Sequence, residues 1–111
     1  MAVYVSNLTV NTGTTFSQIF TLESADTNSA TNLTGFTAAA QMRKHPGAST
    51  ATDFTTSIIN ATGGKIRVGL TTSQTSALKP GRFMYDVIIT DTSGEVTRVL
   101  EGAVLVREGV T

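Results

Sequence analysis

The stretch Leu78–Val106, LKPGRFMYDVIITDTSGEVTRVLEGAVLV, decides the fold. In Phe83–Ile89 apolar and aromatic residues occupy every odd position, which predicts a β-strand with those residues directed inward. Asp91–Glu95 supplies a turn in which Gly94 is free to adopt a positive φ. The chain then returns as VTRVLEGAVLV, so we expect a long antiparallel hairpin.

The returning strand alternates in the same way. Strict alternation puts Leu100, Gly102, Val104 and Val106 on one face and Val99, Glu101 and Ala103 on the other. A glycine inside a strand marks a bulge or the close approach of another backbone. We therefore expect one of these two features at Gly102.

Strand-like alternation recurs along the whole chain, separated by polar turn segments. The pattern predicts further strands in Val3–Val10, Thr14–Glu23, Phe36–Lys44, Thr52–Thr62 and Lys65–Leu70. Gly63 and Gly64 predict a tight turn between the last two, which makes a second hairpin. Pro80 and Gly81 end the one helix-like segment, Thr71–Leu78. Short strands with frequent turns predict an all-β sandwich of seven or eight antiparallel strands, one domain over 1–111, with at most one short helix.

The inward faces of these strands define the expected core. Its predicted members are Phe16, Phe20, Leu22, Ala40, Met42, Ile66, Val68, Leu70, Phe83, Tyr85, Val87, Val104 and Val106. The polar segments 24–32 and 45–52 are the predicted loops.

Composition excludes several classes of protein. The net charge is +0, with 14% charged residues, which argues against a nucleic-acid-binding protein and removes long-range repulsion between copies. There is no cysteine, hence no disulfide and no thiol nucleophile. The N-terminal sequence lacks the pattern of a secretory signal, and no apolar run reaches the about 20 residues of a membrane span. The strand pattern starts close to Met1, so we expect a complete chain.

Residue types that carry chemistry are sparse, and the sequence predicts no catalytic, cofactor-binding or metal site. His45 is the single histidine and lies beside Pro46, which favours an exposed loop position. Asp86 and Glu101 resemble a carboxylate pair, but Arg98 nearby favours cross-strand ion pairs.

Four weaker patterns have plainer explanations. Asp26 and Asn28 hint at an oxygen-rich calcium loop without its spaced carboxylates. The segment 63–65, GGK, is too short for a phosphate loop and joins two strands. Basic residues predict solvated faces or partner contacts; they are Arg43, Lys44, Lys65 and Arg67. Asn-x-Thr sequons at Asn7, Asn32 and Asn60 are expected by chance in a chain that is roughly one-fifth threonine.

The sequence around the short helix resembles an immunoglobulin-type domain. In such sandwiches a one-turn helix precedes a strand that opens with Gly-x-Tyr-x-Cys, and Gly81-Arg82-Phe83-Met84-Tyr85 is similar to that pattern. Phe83 stands at the position of the corner tyrosine and Tyr85 at that of the cysteine. The resemblance implies an immunoglobulin-like β-sandwich without the disulfide and without the usual corner hydrogen bond.

A second resemblance covers nearly the whole chain. The segments NLTGFTAAAQMRKHPGA, GGKIRVGLTTSQTSALKPGRFMYDVIITDTSGEVTRVLEG and VLVREGVT resemble a family of small bacteriophage virion structural proteins. They are similar to the N-terminal immunoglobulin-like domain of the phage baseplate upper protein. The order and spacing of LTG, the Arg-Lys strand end, QT-AL-PGR, Tyr-Asp and TR-LEG carry the resemblance.

This resemblance implies a non-enzymatic attachment or decoration module on the virion. Its expected partners are other virion proteins at the head, neck, tail or baseplate, bound in multiple copies, with no nucleic acid and no membrane. The expected contacts are Met1–Tyr4, Arg107–Thr111 and the loops 24–32 and 45–52. The alternative is a small carbohydrate-binding or adhesin-like module, although Trp is absent and there are 2 Tyr.

Overall fold

The computed structural model describes residues 4–22, 32–45, 47–49 and 51–109. Within these ranges the chain forms nine strands and one short helix. The elements are β1 Tyr4–Val5, β2 Leu8–Asn11, β3 Phe16–Thr21, β4 Thr37–Arg43, β5 Thr52–Asp53, β6 Thr55–Asn60, β7 Lys65–Leu70, α1 Thr72–Ser76, β8 Gly81–Thr90 and β9 Val96–Arg107.

The strands form two sheets that pack as a sandwich. The large sheet has the order β1–β9–β8–β4–β5, with β2 also paired to β9, and the small sheet has the order β3–β7–β6. The prediction of an all-β sandwich with at most one short helix is confirmed. The described residues form nine strands where seven or eight were expected, because the predicted first strand and the predicted strand Thr52–Thr62 each form two strands. The long β8–β9 hairpin and the β6–β7 hairpin are both antiparallel, as expected.

The expectation that every strand is antiparallel is wrong at the N-terminus. β1 and β2 pair in parallel with β9, Tyr4 opposite Leu100 and Leu8 opposite Val104. The chain turns after β2 at Gly13, where φ is 77°, and β3 lies in the other sheet. The first segment therefore joins β9 instead of forming a hairpin with β3, and Leu8 and Val10 are buried as a result.

The predicted strand Thr52–Thr62 divides between the two sheets. Its first part is β5, which pairs with β4, and its second part is β6, which pairs with β7. Phe54 lies between them, with its N–H donated to the Ala40 carbonyl at 3.0 Å and its side chain buried. The ring stands 6.1 Å from that of Tyr85 and 6.2 Å from that of Phe16, so one aromatic cluster links both sheets.

Ten of the thirteen predicted core residues are buried. Phe16, Phe20 and Phe83 are partly buried residues packed against the core. Phe16 and Phe20 lie on β3 at the edge of the small sheet, whereas Phe83 is near the start of β8, 4.9 Å below the ammonium of Lys44. The list of predicted core residues omits seven further buried residues, of which Ile89 had been assigned to an inward face: Leu8, Val10, Leu33, Phe54, Ile89, Val99 and Leu100.

The helix α1 begins with a capping box. The Gln74 N–H donates to Thr71 Oγ1 at 3.2 Å, and the Thr71 N–H donates to Gln74 Oε1 at 2.9 Å. Thr75 is fully buried, and its hydroxyl donates to the Thr14 carbonyl at 2.8 Å, which ties the helix to the turn between β2 and β3. The helix falls inside the predicted range Thr71–Leu78.

Candidate interaction surface

The side of the large sheet that faces away from the core carries most of the exposed apolar side chains. Strand register puts Met84 beside Ala103, Arg82 beside Leu105, and Val5 beside Glu101 on this side. We call it the outer face; it comprises Val5, Ala39, Gln41, Arg43, Arg82, Met84, Asp86, Ile88, Val96, Arg98, Glu101, Ala103 and Leu105. Of six exposed large hydrophobic residues among those described, four belong to it. They are Val5, Met84, Val96 and Leu105, which are 74%, 49%, 58% and 49% exposed.

Cationic residues of the outer face are arginines. Arg43, Arg82 and Arg98 lie on β4, β8 and β9 with their positions directed outward. The lysines that the structure places in contacts lie elsewhere: Lys44 over the Phe83 ring, and Lys65 in the small sheet with Nζ 3.2 Å from Thr21 Oγ1. Arginine and methionine are enriched and lysine depleted at protein–protein interfaces.

A charged cluster lies at the centre of the outer face. Arg98 Nε is 3.3 Å from Asp86 Oδ2, and its Nη1 is 4.0 Å from Glu101 Oε2. Asp86 and Glu101 are directly opposite each other in the β8–β9 register. The Arg98–Asp86 contact confirms the predicted cross-strand ion pairing, whereas Arg98 and Glu101 are neighbours within β9. The depression beside them has a volume of about 430 Å³ and is open to solvent.

A β-bulge is the reason that Arg98 reaches these carboxylates. The β8–β9 register shifts between Val87 and Ile88, so that Val87 pairs with Leu100 and Ile88 pairs with Arg98. The unpaired residue is Val99, and both Val99 and Leu100 are buried. Strict alternation put Val99 on the face opposite Leu100, and that expectation is wrong because the extra residue lets both side chains lie in the core.

Gly102 confirms the second of the two expectations for its position. A Cβ atom at Gly102 would overlap the carbonyl oxygen of Ser6, in the segment between β1 and β2. The same segment donates the Ser6 N–H to the Glu101 carbonyl at 3.0 Å. Asn7 Oδ1 accepts the Ala103 N–H at 3.0 Å in place of a backbone carbonyl. The missing side chain of Gly102 therefore lets the N-terminal segment lie against β9.

Tyr85 completes this arrangement from the neighbouring strand. Its phenolic O–H donates to the Ser6 carbonyl at 2.6 Å, while its ring is buried in the aromatic cluster. Burial raises the pKa of the Tyr85 phenol above 10.0. Phe83, at the expected corner position, has no hydroxyl, but the tyrosine two residues later makes a different hydrogen bond to the N-terminal segment. We call Ser6, Asn7, Tyr85, Gly102 and Ala103 the N-terminal clasp.

The structure gives local roles to most of the other residues that the sequence brought forward. His45 is exposed, and its carbonyl accepts the Ala48 N–H at 2.9 Å in a turn. Arg43 Nη1 donates to the Ala48 carbonyl at 2.7 Å, which joins that loop to β4. Arg67 is exposed on β7, opposite Ile19. Asp26 and Asn28, and with them the calcium-loop hypothesis, lie outside the described residues.

The three sequon asparagines each hold a backbone segment. Asn32 Oδ1 accepts the Thr34 N–H at 3.0 Å, and Asn60 Oδ1 accepts the Gly63 N–H at 3.0 Å. Asn7 belongs to the N-terminal clasp. Gly64, with φ at 66°, completes the turn from β6 to β7 that GGK predicted.

The expected contact segments are covered in part. Positions 1–3, 110–111, all of the loop 24–32 except Asn32, and positions 46 and 50 of the loop 45–52 lie outside the described residues. Arg107 is the last residue of β9 and its carbonyl accepts the Thr12 N–H at 2.9 Å, so the strand extends one residue into the predicted C-terminal contact segment.

In the described ranges, no group of three or more His, Cys, Asp or Glu residues is arranged to hold a metal ion. Among the same residues no helix has the length and hydropathy to cross a membrane.

The chain is a β-sandwich whose large sheet exposes a face of apolar and charged side chains. No protein-family model matches the chain, and no curated protein matches it. Among solved structures it is similar to an internalin-like protein of Listeria monocytogenes, with 14% identity and a TM-score of 0.46. The alignment covers 96% of this chain and 28% of that protein, so the chain spans less than a third of its length.

The outer face was not among the sites predicted from the sequence. The predicted contacts lie at the termini and loops, because chain ends and polar segments are visible in the sequence. The available signal was the mixed face of β8, in which Met84, Asp86 and Ile88 alternate with inward residues. A single apolar residue on the solvent side of a strand does not indicate an interface. It indicates one only when neighbouring strands place further apolar residues beside it, and the sequence does not show which strands are neighbours.

Proposed function

We propose that this chain is a non-enzymatic structural module of a bacteriophage virion, which attaches to other virion proteins in multiple copies. The resemblance of the segments around Gly81–Tyr85 and Thr97–Gly102 to phage virion proteins supports the virion assignment. The composition of the outer face supports attachment through that surface. Head decoration, neck, tail and baseplate positions are all consistent with this proposal.

The observation that carries the attachment role is the grouping of exposed apolar residues on one sheet face. Met84 and Leu105 lie diagonally across β8 and β9, separated by the small Ala103. They are flanked by arginines and by the Asp86–Arg98–Glu101 cluster. Exposed apolar residues grouped on one face mark protein interaction sites, and arginine and methionine are enriched at protein interfaces. Repetition on a symmetric particle strengthens a weak contact through multivalency.

The first test measures whether the chain is part of particles. Purified virions are analysed by quantitative mass spectrometry, and a labelled chain is located by electron microscopy. We expect several copies per particle at one symmetric position. Absence of the chain from purified particles would contradict the virion role.

A second test measures the role of the outer face. The double variant Met84→Glu, Leu105→Glu adds charge to two exposed apolar residues of the outer face. Arg43 lies opposite Met84 and Arg82 opposite Leu105, so the folded chain can accommodate the new carboxylates. The matched control is Ile59→Glu, because Ile59 is 41% exposed and lies in the small sheet. We expect at least a tenfold loss of incorporation for the double variant and none for the control. Equal incorporation of both would exclude the outer face while leaving the virion role standing.

A further inference from the structure

Among the described residues, the two sheets end in four strand edges, and three of them are interrupted. The β1/β2 edge is broken at Ser6–Asn7, β5 has two residues, and β6 carries a register shift between Ile58 and Asn60. Short, kinked or bulged edges resist pairing with another chain. These three edges therefore carry features that natural β-proteins use to stay separate.

The fourth edge, β3, has none of these features. Its six residues, FSQIFT, pair with β7 in consecutive register from Phe16–Leu70 to Thr21–Lys65 without irregularity. It contains neither proline nor an ionisable residue. Ile19, at its centre, is 45% exposed. The contrast with the other three edges indicates that β3 is suited to accept another strand.

Hydrogen-bond direction defines which groups β3 offers. Leu22 continues the ladder by donating its N–H to the Gly64 carbonyl at 2.8 Å. Because direction alternates along an antiparallel strand, even-numbered residues bond to β7, and Ser17, Ile19 and Thr21 direct their backbone groups to the opposite side. The side-chain amide of Gln18 reaches the Ile19 carbonyl at 3.4 Å, which agrees with that direction.

We propose that β3 pairs in antiparallel fashion with β3 of a second copy of this chain, about a twofold axis at Ile19. In that register Ile19 faces Ile19 of the second copy, and Ser17 faces its Thr21, so every outward backbone group on these three residues gains a partner. The central isoleucines cover each other. The strand is uncharged and the chain's net charge is +0, so the copies meet without repulsion.

The symmetry closes the assembly at two copies. A twofold contact uses the same edge on both partners, and the joined sheet then ends in the bulged β6 strand on each side. This pairing goes beyond the proposed virion role and does not depend on it, because it uses the small sheet and leaves the outer face free.

The experiment is sedimentation velocity on the purified chain over a dilution series, since one pair of six-residue strands is a small interface. We expect the mass to rise from 11.6 kDa toward twice that value with concentration. Ile19→Glu puts like charges on the twofold axis, while Arg67 directly opposite on β7 supports the folded monomer. This variant should stay monomeric, and Ile59→Glu should dimerise like the unchanged chain.

Amide hydrogen exchange identifies the edge itself. At high concentration the dimer should protect the amides of Ser17, Ile19 and Thr21, and on dilution these amides should exchange at least tenfold faster. Circular dichroism verifies that both variants are folded. A chain that stays monomeric throughout the series, or a dimer that Ile19→Glu leaves intact, overturns the proposal. Protection of these three amides in the monomer also overturns it, because the chain's own residues would then cover the edge.

Discussion

The two sheets of this sandwich differ in the groups that they expose to solvent. The large sheet exposes a broad face of apolar residues and ion pairs, and its first strand is held by the polar contacts of the N-terminal clasp. The small sheet has three strands, and β3 ends it with a regular backbone. We therefore propose that the large sheet would contact a partner through side chains and the small sheet through main-chain groups.

The largest expected effect comes from breaking the link between the sheets. Phe54→Ala should reduce the free energy of unfolding by about 3–5 kcal/mol, because it removes a buried ring from the cluster with Phe16 and Tyr85. Chemical denaturation measures this change. The matched control is Phe83→Ala, which should cost about half as much since that ring is partly buried. Equal losses would show that Phe83 is as central as the sequence analysis expected.

A smaller effect should come from the large sheet alone. Gly102→Ala should reduce the free energy of unfolding by about 3 kcal/mol, because the new methyl group overlaps the Ser6 carbonyl and displaces the N-terminal segment. Gly94→Asn is the control, since Gly94 has φ at 88° with no atom within 4 Å of an added Cβ, and asparagine tolerates that conformation. Thermal unfolding compares the two. A stable Gly102→Ala variant would contradict the close packing of the clasp.

The smallest expected effect concerns the hydrogen bond of the clasp. Tyr85→Phe should cost about 1 kcal/mol, because the Ser6 carbonyl loses its donor while the ring stays in the core. The folded-state pKa of Tyr85 is raised above 10.0. The neutral phenol therefore contributes fully to the stability of the folded chain below that pH, and this contribution is lost as pH rises through the raised pKa. Unfolding followed at increasing pH should therefore show the unchanged chain losing stability faster than Tyr85→Phe above about pH 10. If the free energies of unfolding of the two chains fell in parallel with pH, Tyr85 would ionise equally in the folded and unfolded states.

Much of the fold was predictable because alternation is a local property. A strand's inward face repeats every two residues, so Tyr85, Val87 and Ile89 could be assigned inward from neighbouring residues alone. The helix was also predictable, because its cap at Thr71 and its stop at Pro80 are local signals. The interaction surface was not, because its members come from separate strands.

By itself, the sequence determined the β-sandwich class, the two hairpins, the short helix and the ion-pairing partners Asp86, Arg98 and Glu101. The tertiary structure decided three features: the parallel pairing of the N-terminal strands with β9, the passage of the chain from one sheet to the other at Phe54, and the bulge at Val99. The physical reason is that these three features depend on which strands become neighbours. A side chain's face is set by its adjacent residues, whereas a strand's partner is set by packing between segments far apart in the chain.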